Sequence, residues 1–518
     1  MHNWPLEAKV GQMMMFGFAG TKVPEQIRTF IHQYNLGGII IFSRNVENPR
    51  QITQLNAGLQ QLALGSPFGV GLFIAVDQEG GQVARISEGV SVAPAQMAMG
   101  ALGSPALAGQ IGKIVGEELA ALGFSMNLAP CLDVNSNPHN PVIGVRSFGE
   151  DPEIVGELGS AVIRGLQESV IATAKHFPGH GDTAVDSHLG MPMISHSRER
   201  LREVELVPFQ KAIAAGVDAI LAAHVAFPAL EPIPGRPSSL SYPVLTGLLR
   251  EELGFDGLVL TDCMEMQAVT GHYPMGEAAV LAIEAGSDMV LVSHTPKLQE
   301  EAFRTVVEAV RSGRIAEKRI DQSLERIARA KEKYVKWPFP EGKVASDEHS
   351  RVMAEAYGDS MTVVRNSGLI PLPNRPVVVI ETLPHAASLA EEGSPSGATL
   401  AQALADLGAE VAAYYITPEV TSEEYEKTTE LVERCGLVIM VTQNAHRCAR
   451  QAELARLVAE RCPEHVFIGT RTPYELGDLP QVRNYLAAYS SRPEALRACA
   501  EVLLGKREAK GRLPVTLV

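Results

Sequence analysis

Fourteen consecutive residues, Lys175-His176-Phe177-Pro178-Gly179-His180-Gly181-Asp182-Thr183-Ala184-Val185-Asp186-Ser187-His188, hold three histidines, two aspartates and a lysine. Such a stretch is poor core material, because buried charge and imidazole are costly unless paired. The glycines and the proline mark it as a loop, and loops set on a rigid scaffold are where chemistry collects. Within it, Asp186-Ser187-His188 places a carboxylate two residues before an imidazole. An imidazole titrates near neutrality and can both give and take a proton, and a neighbouring carboxylate can orient it. Asp262, at the end of the apolar run 258–260, offers a second carboxylate. Its type admits either a nucleophile or the N-cap of a following helix. A purely structural, histidine-rich surface loop is the plain alternative for 175–188.

Something must hold these groups in one place. Short apolar runs at 13–18, 38–42, 72–76, 125–134, 170–174, 219–223, 258–260 and 289–292 alternate with amphipathic, helix-like segments. Nearly continuous apolar strands separated by helices predict a parallel sheet covered by helices, and eight repeats predict closure into a (β/α)8 barrel. The residues at or just past the runs are Ser43-Arg44-Asn45, Asp77-Gln78-Glu79, Asp133 with Asn135, Lys175-His176, His224, Asp262 and Ser293-His294. In a barrel these positions share one mouth. Trp337-Pro338-Phe339-Pro340 breaks the pattern. The expected organisation is therefore a catalytic barrel over 1–336, a linker over 337–348 and a smaller α/β sandwich over 349–518, with strands at 377–380, 411–416, 437–441, 466–468 and 485–489 and a helix running from the linker to about 364. His385, Asn444, His446 and Arg447 of the sandwich read as surface or structural residues.

Bulk properties narrow the classes. The formal charge is −15 and no block of Lys or Arg occurs, which argues against a nucleic-acid partner. No signal-like N-terminus and no apolar stretch of the ~20 residues a membrane span needs are present, so a cytoplasmic protein is expected. Six scattered cysteines with no CxxC pair suggest reduced thiols rather than disulfides or cysteine-bound metal.

The motifs Val76-Asp77-Gln78-Glu79-Gly80-Gly81, Asn127-Leu128-Ala129-Pro130 through Asp133-Val134-Asn135, Ile143-Gly144-Val145-Arg146-Ser147-Phe148-Gly149, Lys175-His176-Phe177-Pro178-Gly179-His180-Gly181-Asp182-Thr183, Asp186-Ser187-His188, Ala223-His224-Val225 and Leu260-Thr261-Asp262 closely resemble those of family 3 glycoside hydrolases. The Asp-x-His loop resembles the β-N-acetylglucosaminidase branch, and the layout its two-domain members. This resemblance implies a retaining exo-β-N-acetylglucosaminidase acting on N-acetylglucosaminyl muropeptides or chito-oligosaccharides. Asp262 would be the nucleophile, His188 the acid/base and Asp186 its orienting partner. Asp77, Arg146, Lys175 and His176 would hold the sugar. Asp133 and His224 would touch it or brace those that do, with Lys175 paired to Asp77 or Asp133. His180 and Asp182 would shape the loop, and His294 receives no role. No cofactor or metal is implied, since displacement at an anomeric carbon needs a carboxylate, a proton donor and positioning. The oligomeric expectation is monomer or homodimer. Rival readings are a phosphorylase or a β-glucosidase of the same family, a metal-dependent barrel using His176, His180, Asp182, Asp186 and His188, and a non-catalytic sugar-binding module. The metal reading is weakened by the absence of a ligand on the first strand.

Overall fold

The computed structural model describes residues 4–386, 388–391 and 397–517. Eight parallel strands, β1 (Met14–Phe16), β2 (Gly38–Ile41), β3 (Phe73–Val76), β4 (Met126–Asn127), β5 (Ile171–Phe177), β6 (Ala219–Ala222), β7 (Leu258–Cys263) and β8 (Met289–Val292), close in chain order into a barrel. Runs such as Gly38-Ile39-Ile40-Ile41 and Phe73-Ile74-Ala75-Val76 are buried throughout, as strands sandwiched between a barrel interior and a helical shell must be. Three of the long helices begin where a polar cap precedes a proline. Asn48, Ser104 and Asp151 each accept a backbone N–H from the first turn of the helices Pro49–Leu64, Pro105–Ala121 and Pro152–Leu166, the arrangement favoured at helix starts. The second and third of these pack backbone to backbone, since a Cβ on Gly112 would lie 2.5 Å from the Val162 carbonyl oxygen.

Four barrel elements differ from expectation. The run 125–134 is a regular strand only at Met126–Asn127; beyond it the chain stays on β5, Ala129 O and Pro130 O accepting from the N–H of Thr173 and Lys175 at 2.9 and 3.2 Å and Leu132 N–H donating to Lys175 O at 2.6 Å, while Pro130 has no N–H to add to the ladder. Strands β5 and β7 run on past their apolar stretches, so Lys175, His176 and Asp262 lie within strands rather than after them. The segment 198–215 forms two helices, Arg198–Glu203 and Val207–Ala214, with Pro208 in the first turn of the second.

The remaining chain forms a six-stranded sheet of β9 (Thr362–Arg365), β10 (Val377–Thr382), β11 (Val411–Ile416), β12 (Val438–Thr442), β13 (His465–Gly469) and β14 (Tyr485–Ala487), ordered β9-β14-β13-β12-β10-β11. Only β9 is antiparallel to its neighbour. It replaces the last turn of the expected helix: Asp347–Ser360 stops at Ser360, and the β-branched Thr362-Val363-Val364 enters the sheet. That helix straddles the two units. Val352, Met353 and Ala356 pack in the barrel's core, while Tyr357 and Met361 join the sandwich. A second shared core joins Met97, Ala98 and Val145 of the barrel to Tyr474, Leu476 and Val515, and Asn135 Nδ2 donates to Tyr474 Oη at 2.7 Å. The cysteines are all free. Among the described residues no helix is long and apolar enough to cross a membrane.

Candidate active site

The C-terminal ends of the barrel strands surround a cavity of about 350 Å³. Its floor is an ionic cluster. Lys175 Nζ, from β5, lies 2.6 Å from both Asp77 Oδ1 and Glu79 Oε1. Arg146 holds Glu79 with two bonds, Nε to Oε2 at 2.9 Å and Nη2 to Oε1 at 2.8 Å. Lys175 and Glu79 side chains are 3% and 1% exposed, so neither charge survives there without the other. Burial alone would raise the Glu79 carboxyl, but Arg146 and Lys175 outweigh it and hold it well below its usual range. Burial would likewise lower Lys175, and Asp77 and Glu79 reverse this. A register shift in the β5–β6 pairing between Lys175 and Phe177 re-aims this strand end, as bulges do.

Beside this cluster, buried Asp133 orients His176. The His176 ring N–H at Nδ1 donates to Asp133 Oδ2 at 2.6 Å, and the backbone N–H of His180 donates to Oδ1 at 2.5 Å. His176 Nε2 faces Arg146 Nη2 at 3.4 Å. Across the cavity, Asp262 Oδ1 accepts the N–H of Cys263 at 2.7 Å; its other oxygen has no hydrogen-bond partner among the described residues. Burial would push Asp262 up, yet the neighbouring His176, His224 and His188 hold it below the ordinary carboxylate range, so it is ionised at neutral pH. No helix begins at Asp262; the next is Gln267–Thr270, which removes the N-cap alternative. His224 is fully engaged, between Ser239 Oγ at 2.7 Å and Cys263 O at 3.0 Å. It braces the end of β7.

The Asp186–His188 pair sits on a turn. Asp186 Oδ1 accepts both the His188 backbone N–H at 2.9 Å and the ring N–H at Nδ1, 2.7 Å away, and Asp186 O accepts from Leu189 N at 2.9 Å. Aspartate commonly folds its own chain this way. With Nδ1 committed, Nε2 is the atom left to exchange a proton. Burial would raise Asp186, but its bonds from His188 keep it lowered and ionised. His180 underpins the turn, bonding Thr183 Oγ1 at 2.9 Å and Ser187 Oγ at 3.0 Å. Burial holds its ring down to about 4, so it stays neutral. Asp182 pairs with His196. Gly181 allows the loop to press on the barrel, since a Cβ there would lie 1.7 Å from Val134 O.

Of the predicted residues, Asp77, Arg146, Lys175, His176, His188 and Asp262 line the cavity, whereas Asp133, Asp186 and His224 stand behind them. Lys175 pairs with Asp77, as expected, but its second partner is Glu79 rather than Asp133. Glu79 was visible in the Asp77-Gln78-Glu79 motif, and its role emerges only when the hairpin Gln78–Gly80 with Val83–Ala84 folds it over Arg146. Arg85, 3.5 Å from Asp77 Oδ2, carried no signal. Nor did the sandwich residues Leu389 and Ala390, which complete the cavity rim. Arg471 grips Glu391 at 2.6 and 2.8 Å, and Arg85 Nη1 donates to Ala390 O at 2.9 Å. His446 and Arg447 of the same unit touch barrel carbonyls at Pro138 and Pro141, both 3.3 Å away. The five residues of the metal reading are dispersed among separate hydrogen bonds. The described His, Cys and carboxylate groups that do converge are Cys131-Asp133-His176 and Cys263-Glu265-His294.

Residues 5–330 match the family model "Glycosyl hydrolase family 3 N terminal domain". The chain is 31% identical to beta-hexosaminidase A of Pseudoalteromonas piscicida over 96% of its own length and 92% of that protein. A beta-hexosaminidase of Nitrosomonas eutropha is 35% identical but aligns with 62% of this chain while 92% of its own length is covered. Among solved structures, a glycoside hydrolase family 3 beta-N-acetylglucosaminidase from Paenibacillus sp. FPU-7 superposes with a TM-score of 0.94 at 42% identity, covering 99% of both chains.

Proposed function

Because this chain belongs to glycoside hydrolase family 3 and is a glycoside hydrolase, we propose that it acts as a retaining exo-β-N-acetylglucosaminidase. The observation that carries the reading is the pairing, in one cavity, of an ionised carboxylate with one uncommitted oxygen and an imidazole whose Nδ1 is locked to a carboxylate. Asp262 attacks the anomeric carbon while the His188 Nε2 proton passes to the departing glycosidic oxygen. A glycosyl-aspartate forms. His188, now neutral at Nε2, takes a proton from water as the water displaces Asp262 with net retention. Asp77 accepts hydrogen bonds from sugar hydroxyls, Lys175 and Arg146 supply donors around the ring, and His176, whose Nδ1–H is given to Asp133, offers Nε2 as an acceptor. A cavity closed at its base by buried ion pairs suits a terminal sugar rather than the interior of a polymer.

In this reading residues 1–336 are the catalytic unit, 337–348 the linker and 349–518 the accessory unit, working as monomer or homodimer. The substrates are N-acetylglucosaminyl muropeptides or chito-oligosaccharides met in the cytoplasm during cell-wall recycling. The test compares initial rates on a chromogenic β-N-acetylglucosaminide and the matching β-glucoside in chelator-containing buffer, with the product analysed in the presence and absence of phosphate. Preference for the N-acetyl sugar and release of free N-acetylglucosamine are expected. Preference for the glucoside overturns the substrate. A sugar 1-phosphate as main product overturns water as acceptor, since a neutral imidazole base repels phosphate less than a carboxylate does.

A further inference from the structure

Strands β7 and β8 are neighbours in the barrel, and their ends bring together three side chains that the hydrolytic reading does not use. Cys263 closes β7, Glu265 follows two residues later, and His294 lies two residues past β8. A thiol sulfur, a carboxylate oxygen and a ring nitrogen from these residues all lie within 4.8 Å of one another, on the wall of the cavity that holds Asp262. We propose that Cys263, Glu265 and His294 form a binding site for zinc or a similar borderline-soft divalent cation, and that occupation of this site inhibits glycoside cleavage.

The donor set selects the ion class. Sulfur, nitrogen and one carboxylate oxygen suit zinc, whereas calcium and magnesium ask for oxygen alone. Zinc bond lengths of about 2.0–2.3 Å place neighbouring tetrahedral ligand atoms roughly 3.5 Å apart, so the present spread closes with side-chain shifts of about 1 Å. Two of the ligands are already oriented. Glu265 accepts the backbone N–H of His294 at 2.6 Å and of Thr295 at 2.9 Å, which aims the carboxylate while leaving it further lone pairs. The His294 ring packs on Phe42, with centroids 5.2 Å apart. Arg44 also packs on Phe42, 4.2 Å from its centroid, and Arg85 lies 5.8 Å from the same ring, but the Arg44 guanidinium donates to Phe18 O and Ser293 O and that of Arg85 to Ala390 O and Asp77. On binding, the Cys263 S–H bond breaks, its proton leaves to solvent, a metal–sulfur bond forms and water fills the fourth position. A dication there draws on the charge of Asp262 and narrows the cavity, so turnover falls. The comparable group Cys131-Asp133-His176 is a poorer candidate. Its members are buried and bonded to each other, and the Arg146 guanidinium stands 3.4 Å from His176 Nε2.

The test is a titration of the full-length, reduced, chelator-stripped protein with zinc by calorimetry and with cobalt by absorption spectroscopy, beside an activity assay with added zinc. Expected are one ion per chain, a thiolate-to-cobalt charge-transfer band and inhibition by zinc. Cys263→Ser should abolish the band, and His294→Ala, a change at an exposed residue that keeps the fold testable, should weaken binding by at least about tenfold. Cys448→Ser should change neither. No stoichiometric binding, or binding untouched by Cys263→Ser and His294→Ala, overturns the site. Stoichiometric binding without loss of turnover overturns the inhibition.

Discussion

On the cavity floor, Lys175, Glu79 and Arg146 are almost free of solvent and every charge meets its opposite across distances of 2.6–2.9 Å. In the turn that carries Asp186 and His188, the neighbouring Val185 and Leu189 are 45% and 70% exposed, and the geometry rests on one carboxylate folding its own backbone. The floor is built by strands β3 and β5 with the loops that follow β3 and β4, and the dyad by a single loop. In the proposed mechanism the floor groups recognise the sugar ring and must be preorganised, which a rigid barrel does. His188 in that mechanism exchanges a proton with water and must reach it, which a loop allows. The accessory sheet contributes differently again, by pressing Leu389 and Ala390 onto the rim through paired arginines.

The contrast breaks first at Asp262, the one group both regions serve. Asp262→Ala should reduce turnover by on the order of 10⁴-fold or more, the scale seen when a nucleophile is removed, with the fold intact by circular dichroism. His188→Ala comes next. It should cost about 10²–10⁴-fold on substrates with poor leaving groups and far less on activated aryl glycosides, as loss of a general acid does; equal losses on both would remove His188 from that role. Glu79→Gln strikes the floor. It strips two buried cations of a shared partner and should lower stability by about 3–5 kcal/mol in denaturant unfolding, whereas Asp186→Asn, which keeps an amide oxygen to accept the His188 N–H groups, should cost less stability.

A smaller effect concerns pH. His180 folds with its ring held at about 4, against an ordinary 6.5, because it is buried. Between those values the unfolded chain binds a proton that the folded chain does not, so stability falls as pH drops through that window. The lowered Asp186 carboxyl acts in the same sense: its contribution is present above the ordinary carboxylate range and is lost as pH falls through its folded value. His180→Gln should flatten the acid-side slope measured by urea unfolding between neutrality and pH about 4.

The barrel was legible because eight apolar runs punctuated by Asp, His and Lys suit few folds besides a closed parallel sheet. The strand ends were less so. Lys175, His176 and Asp262 are polar residues inside strands, which hydrophobic patterning assigns to loops, and the fourth strand is regular only at Met126–Asn127, inside a longer apolar run. Motif residues that touch the cavity were found by type and position. Arg85, Leu389 and Ala390 were not, because their place depends on a hairpin and on the docking of one unit onto the other. The convergence of Cys263 with His294 was hidden for the same reason, since the helix Met275–Ala285 and strand β8 separate them along the chain.

The most direct test of the mechanism is to trap the covalent intermediate. A slowly turned over, fluorinated N-acetylglucosaminyl donor with an activated leaving group should shift the intact mass by one sugar residue, and peptide mapping should place that sugar on Asp262. A sugar attached to any other residue, or rapid turnover with no covalent species under quench conditions that preserve an aspartyl ester, would contradict it.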